Sequence, residues 1–154
     1  MSEKGKGLKA FLNGFREAVL DVTGGEGVLV YSGCAGTCTP FAELLAFTLR
    51  ETDLEQYYSI DLSREFRRME LREHGFAVTD ETERLDEADA IVLLGGLAMP
   101  ISDVTVEDAR EFVEELGDPP VIGVCFMNMF ERAGWTEELD FHVIIDGYLE
   151  VTVG

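Results

Sequence analysis

Residues 8–20 place Leu8, Phe11, Leu12, Phe15 and Val19 three or four positions apart, on one face of an amphipathic helix. Gly24, Gly25 and Gly27 interrupt that pattern, and an unbroken apolar run follows at 28–32. A run so short and so uniformly apolar predicts a strand buried on both faces. It leads into the turn Gly33-Cys34-Ala35-Gly36-Thr37-Cys38-Thr39-Pro40. Thr39 fits a helix N-cap and Pro40 the first helical position, so a helix is expected over 40–50. Phe41, Leu44, Leu45, Phe47 and Leu49 make that helix apolar on most sides, as burial against both a sheet and a neighbouring helix requires.

Residues 57–60 suggest a second strand, 62–73 a charged helix closed by His74 and Gly75, and 76–79 a third strand. Residues 81–87 leave room for a short helix before the run Ala90-Ile91-Val92-Leu93-Leu94, which Gly95 and Gly96 end. Thr105 followed three positions later by Asp108 matches a capping box. Val106, Ala109, Phe112, Val113 and Leu116 form the inner face of the helix it opens, and Gly117, Pro119 and Pro120 terminate it. Residues 121–125 give a fifth strand and 129–133 a short helical piece. Residues 141–145 and 148–153 predict one bent strand or a hairpin turning at Asp146-Gly147.

Strand alternating with helix predicts an α/β fold: a single Rossmann-like three-layer domain over residues 8–154, with a mostly parallel sheet of five to six strands and helices on both faces. Residues 28–32, 90–94 and 121–125 are the most uniformly apolar and are expected as parallel neighbours at the sheet centre. Residues 1–7 are expected to be flexible.

The chain of 154 residues carries 31 Asp and Glu against 12 Lys and Arg, a net charge of −19. That balance argues against a nucleic-acid or anionic-membrane partner, both of which need a basic face. No apolar run approaches the ~18 residues of a membrane span, so a cytoplasmic protein is expected. All three Lys fall within the first nine residues, and this acidic, Lys-poor composition is compatible with adaptation to high salt. The one positive cluster, Arg64, Arg67, Arg68 and Arg72, falls on the expected helix over 62–73, paired with Asp61, Glu65, Glu70 and Glu73.

Ligands of such folds bind beyond the carboxyl ends of the strands, where the strand order reverses. The candidate ligand site is therefore Gly33, Cys34, Ala35, Gly36, Thr37, Cys38 and Thr39, with Gly95 and Gly96 from the loop after residues 90–94. Two glycines allow close backbone approach, and the helix that follows offers free amides to an anion. The turn is neither a P-loop, having no GK[ST], nor a GxGxxG fingerprint. Cys34, Cys38 and Cys125 all fall on this edge, with Met99, Met127 and Met129 nearby, a soft donor set suited to zinc, copper or an iron–sulfur cluster. The helix N-terminus is expected to lower the pKa of Cys38 in particular. The loop after residue 94, with Leu97, Met99 and Ile101, is too apolar to lie bare and should cover the site or a second subunit.

The segments GCAGTCTPFAELLAF, IVLLGGLAMP and VCFMNMFERAGW resemble an uncharacterised archaeal domain family found mainly in methanogens, over most of the chain. The resemblance implies an archaeal cytosolic setting and a Rossmann-like fold, and it assigns no catalytic or binding residue. No motif specifies a reaction or a cofactor. Three functions are therefore expected in order: binding of an anionic small molecule, a nucleotide or phosphorylated metabolite, at residues 33–39; thiol redox or metal chemistry at Cys34, Cys38 and Cys125; and a homodimeric interaction module.

Overall fold

A computed structural model of the chain describes residues 4–154. Its sheet has seven strands in the order β4-β3-β2-β1-β5-β6-β7. These are β1 (Glu26–Gly33), β2 (Asp53–Ile60), β3 (Phe66–Arg72), β4 (Gly75–Glu83), β5 (Ala90–Leu94), β6 (Val121–Phe126) and β7 (Val143–Gly147). Neighbours among β2, β1, β5, β6 and β7 are parallel, while β3 and β4 are antiparallel additions at one edge. The expected central trio, β1, β5 and β6, is adjacent and parallel, and β5 is buried along its whole length. The sheet is thus longer than the five to six strands expected and is mixed. Taken in chain order, its parallel strands run 2-1-3-4-5, the flavodoxin-like arrangement rather than the 3-2-1-4-5-6 order of a Rossmann sheet.

Helices α1 (Gly7–Thr23) and α2 (Cys38–Phe47) cover one face, where Phe15, Val19, Ala42 and Leu45 pack on Leu29, Tyr31, Val92 and Ile122. The other face is covered by α3 (Val106–Glu115), α4 (Met129–Arg132) and α5 (Trp135–Glu138), with Phe112, Phe130 and Trp135 against Val30, Ile91, Leu93 and Val121. The alternate residues of β1 and β5 thus divide between the two cores, which accounts for their unbroken apolar runs. Among the described residues no helix is long and apolar enough to cross a membrane.

Three sequence expectations are corrected. Residues 62–73 are not a helix: Asp61 (φ 50°) and Leu62 (φ 63°) are left-handed, and β3 pairs with β4 across a two-residue turn at Glu73-His74. Phe66 and Met69 mimic a helical spacing, yet they lie an odd number apart on a strand and enter opposite cores. Arg67 and Arg68 consequently pair across the fold, with Asp80 and with Glu55 and Glu83, while Arg72 does pair with Glu70 at 2.9 Å. Residues 81–83 continue β4 where a short helix was expected, and 84–89 form no helix. Finally, the chain after β7 forms neither hairpin nor strand. Tyr148, Leu149, Val151 and Val153 are exposed, the last at 91%.

The capping box of α3 is present: Thr105 Oγ1 accepts from the Asp108 amide at 3.2 Å and Asp108 Oδ2 accepts from the Thr105 amide at 2.9 Å. The flexible N-terminus expected over residues 1–7 falls partly on residues 1–3, outside the described residues; residues 4–6 form no helix or strand and are exposed, and α1 begins at Gly7.

Candidate functional site

The strand order reverses between β1 and β5, with β2 on one side of the first strand and β5 on the other. Register brings Gly33 of β1 level with Ile60 of β2, and Ser32 level with Leu93 of β5. The loops after residues 33, 60 and 94 therefore meet at one edge. Helix α2 starts at Cys38, two residues before the expected Pro40, because Thr37 already has helical backbone (φ −69°, ψ −38°). Pro40 then occupies the third helical position, where its missing N–H breaks no helical hydrogen bond. Starting there, the first turn carries the Cys38 thiol back over Cys34.

The two sulfurs lie 2.9 Å apart, and the Thr37 hydroxyl is 3.2 Å from Cys34 Sγ. Tyr58 of β2 donates its phenol to the Cys34 carbonyl at 2.7 Å, tying the loop to the sheet. The Asp61 amide donates to the Gly33 carbonyl at 2.9 Å, which fixes Asp61 beside the same loop. Two glycines make room for this arrangement. A Cβ on Gly33 would stand 2.7 Å from Cys38 Cβ and 2.9 Å from both Leu94 Cδ1 and the Tyr58 phenol oxygen. A Cβ on Gly96 would overlap Cys38 Sγ and stand 2.9 Å from Cys34 Sγ. Gly36, by contrast, adopts a left-handed φ of 84° with open space around it, as the turn between the cysteines requires.

The thiols differ in acidity. Burial raises the Cys34 pKa, but hydrogen bonds from the Cys38 thiol, the Thr37 hydroxyl and the Cys38 amide outweigh it and leave Cys34 below the ordinary thiol value. Cys38 is pushed up to about 11, first by burial and then because its proton is the one donated to Cys34. Burial also raises the Tyr58 phenol, which remains a hydrogen-bond donor. The expectation that the helix N-terminus would favour Cys38 is therefore reversed. Cys38 is buried, while the half-buried Cys34 is reached by solvent and receives the donors.

Cys125 does not join the pair. It is the next-to-last residue of β6 and lies against Gly95, whose missing side chain lets the Cys125 Cβ approach to 2.7 Å of where a Cβ would be. Its thiol donates to Asp146 Oδ1 at 3.6 Å and is pushed up to about 11, chiefly by burial. Among the described residues no three His, Cys, Asp or Glu side chains come together to hold a metal. The expected three-thiol zinc, copper or iron–sulfur centre is therefore not assembled, because the sheet sends Cys125 to a different core from Cys38.

Of the expected site residues, Gly33, Cys34, Thr37, Cys38 and Gly96 converge; Ala35 and Gly36 are exposed on the turn, Thr39 is half-buried, and Gly95 serves Cys125. The apolar loop after β5 tucks Leu97 and Ala98 inward as a 3-10 turn (Gly95–Ala98) but leaves Ile101 86% exposed. Tyr58 and Asp61 were missed by sequence reasoning: their part follows from the β1–β2 register, which the residue types of a Tyr-Tyr strand do not signal. Two open grooves, of about 570 and 550 Å3, lie at residues 136–144 and between α1 and α2. Neither is lined by the thiol pair.

Residues 6–150 match the family described as "Uncharacterized protein conserved in archaea (DUF2124)". The chain is 37% identical over 147 residues to uncharacterized protein MJ1183 of Methanocaldococcus jannaschii, covering 96% of this chain and 89% of that one. An uncharacterized protein of Methanothermobacter thermautotrophicus is also 37% identical, over 150 residues and 94% of each chain. A crystal structure of a protein of unknown function from Methanothermobacter thermautotrophicus superposes with a TM-score of 0.88 at 33% identity, covering 99% of this chain and 96% of that one.

Proposed function

This chain belongs to the archaeal DUF2124 family, and we propose that it is a dithiol protein whose Cys34 and Cys38 cycle between thiol and disulfide. The observation that carries this reading is the 2.9 Å contact between a half-buried, acidified Cys34 and a buried, proton-retaining Cys38. Thiol–disulfide exchange starts from the thiol with the larger thiolate fraction and the better access, here Cys34. The Cys34 thiolate attacks a disulfide RSSR and forms Cys34–S–S–R, releasing RS⁻. Cys38 then loses its proton to solvent and attacks Cys34 Sγ, releasing the second RS⁻ and closing the Cys34–Cys38 disulfide. Two electrons pass from the protein to the substrate, and two RSH are produced.

Binding of an anionic small molecule at residues 33–39 has less support. The open Gly36 turn and the amides opening α2 do offer an anion seat. Yet the Asp61 carboxylate acts on Cys34 in the sense that disfavours a second negative charge beside it.

The test is a redox titration of the folded protein against dithiothreitol buffers, read by mass after alkylation. One disulfide is expected, absent in Cys34→Ser and in Cys38→Ser, with Cys125 remaining reduced. A folded protein that forms no Cys34–Cys38 disulfide at any poise overturns the reading. Self-association is a second reading, favoured by the bare Tyr148, Leu149, Val151 and Val153. Light-scattering mass tests it: a dimer that Val151→Asp dissociates supports it, and a monomer at every concentration overturns it.

A further inference from the structure

The charged side chain whose field acts on Cys34 is that of Asp61. Asp61 is anchored beside the loop by its amide on the Gly33 carbonyl, its side chain is exposed, and its field reaches both Cys34 and Tyr58. The cation of the same loop, Arg64, is engaged elsewhere. Its Nε pairs with Glu115, its Nη1 donates to the Leu62 carbonyl, and its guanidinium lies 5.1 Å from the centre of the Phe112 ring. Of the nearby hydroxyls, Thr37 lies 3.2 Å from Cys34 Sγ and Tyr58 donates to the Cys34 carbonyl, so the amides opening α2 are the neutral groups that oppose Asp61.

We propose that this site selects disulfides flanked by positive charge over disulfides flanked by negative charge, with Asp61 as the residue that sets the preference. The inference rests on the dithiol reading above and adds the substrate class to it. After the first exchange, one half of the substrate is held on Cys34 Sγ beside Asp61, so the charge of that half is felt in the mixed disulfide and in the approach to it. A positive group there is attracted and a negative one repelled. Opposite unit charges about 8 Å from a carboxylate in water differ by roughly sixfold in stability of the encounter. At low salt the overall charge of −19 favours a positive disulfide in the same sense, so the share that belongs to Asp61 is the part of the ratio that Asp61→Asn removes.

The experiment follows the oxidation of the reduced protein by cystamine, bis(2-hydroxyethyl) disulfide and dithiodiglycolate, which carry positive, zero and negative charge. Each rate is divided by that of a free thiol with the same disulfide, which removes differences in leaving group. The expected normalised order is cystamine, neutral disulfide, dithiodiglycolate, with a first-to-last ratio of at least about fivefold at low salt that shrinks as salt is added. Asp61→Asn should lower that ratio at least about threefold. Asparagine tolerates the left-handed backbone at this position, and the net charge changes only from −19 to −18. Any effect on Cys34 acidity is common to all three disulfides and cancels. A ratio near unity, or one that Asp61→Asn leaves unchanged, overturns the assignment. Failure of the neutral disulfide to oxidise the pair at all would instead remove the dithiol reading itself.

Discussion

Replacing Gly96 with alanine tests whether the two sulfurs are held by steric fit. Gly96 does not have a left-handed φ, so alanine meets no backbone penalty there, and the whole effect comes from what its Cβ touches. That Cβ would overlap Cys38 Sγ and stand 2.9 Å from Cys34 Sγ, closer than carbon and sulfur tolerate. Overpacking of this kind costs about 1–3 kcal/mol. The reduced entropy of the unfolded chain returns about 0.4–1 kcal/mol, leaving a net loss of about 1–2 kcal/mol. For a chain of this length each kcal/mol moves Tm by about 2–4 °C, so Gly96→Ala should lower it by roughly 2–8 °C. The assay is thermal unfolding by circular dichroism under reducing conditions, repeated in a Cys34→Ala, Cys38→Ala background. With both sulfurs gone, Gly96→Ala should be neutral or slightly stabilising. An equal loss in both backgrounds would refute the reasoning, as would no loss in the native chain.

Three further outcomes are expected. Cys38 and Cys125, each held near 11 when folded against about 8.5 for a free thiol, contribute stability that is full below pH ~8.5 and is lost as pH rises through ~11; urea midpoints should therefore fall between pH 8 and pH 10, and fall less in Cys125→Ala, whereas a flat profile would count against the burial argument. Thr105→Ala removes one half of the capping box and should cost about 1 kcal/mol, a Tm decrease of roughly 2–4 °C in thermal unfolding. Because 31 acidic residues face 12 basic ones, Tm should rise between ~0.1 and ~1 M monovalent salt as the Debye length shrinks from about 10 to about 3 Å; a flat curve would mean that self-repulsion does not limit stability.

The α/β class, the central strands β1, β5 and β6, the α3 capping box and the tight glycine turn at 33–39 were all legible along the chain, because each depends on residues close in sequence. Buried parallel strands must be apolar on both faces, and capping residues must stand three apart. The hairpin of β3 and β4 was not legible. Phe66 and Met69 satisfy a helical spacing and an odd strand spacing equally well, and the left-handed backbone at Asp61 and Leu62 that rejects the helix has no residue signature.

Cys34 and Cys38 were visible as a pair, since both lie within one turn of chain. Which of them would be the acidic thiol depended on burial and on the donors around it, and only the packing of α2 against the sheet set these. The same packing excluded Cys125 from the pair and brought in Tyr58, Asp61 and Gly96 from three separate loops or strands. Sequence by itself thus determined the elements and the turn that could carry chemistry, because hydrophobic period and local backbone preference act between near neighbours. Tertiary structure decided which groups lie together and which thiol is the more acidic, because distance, desolvation and hydrogen bonding depend on residues brought together from distant parts of the chain.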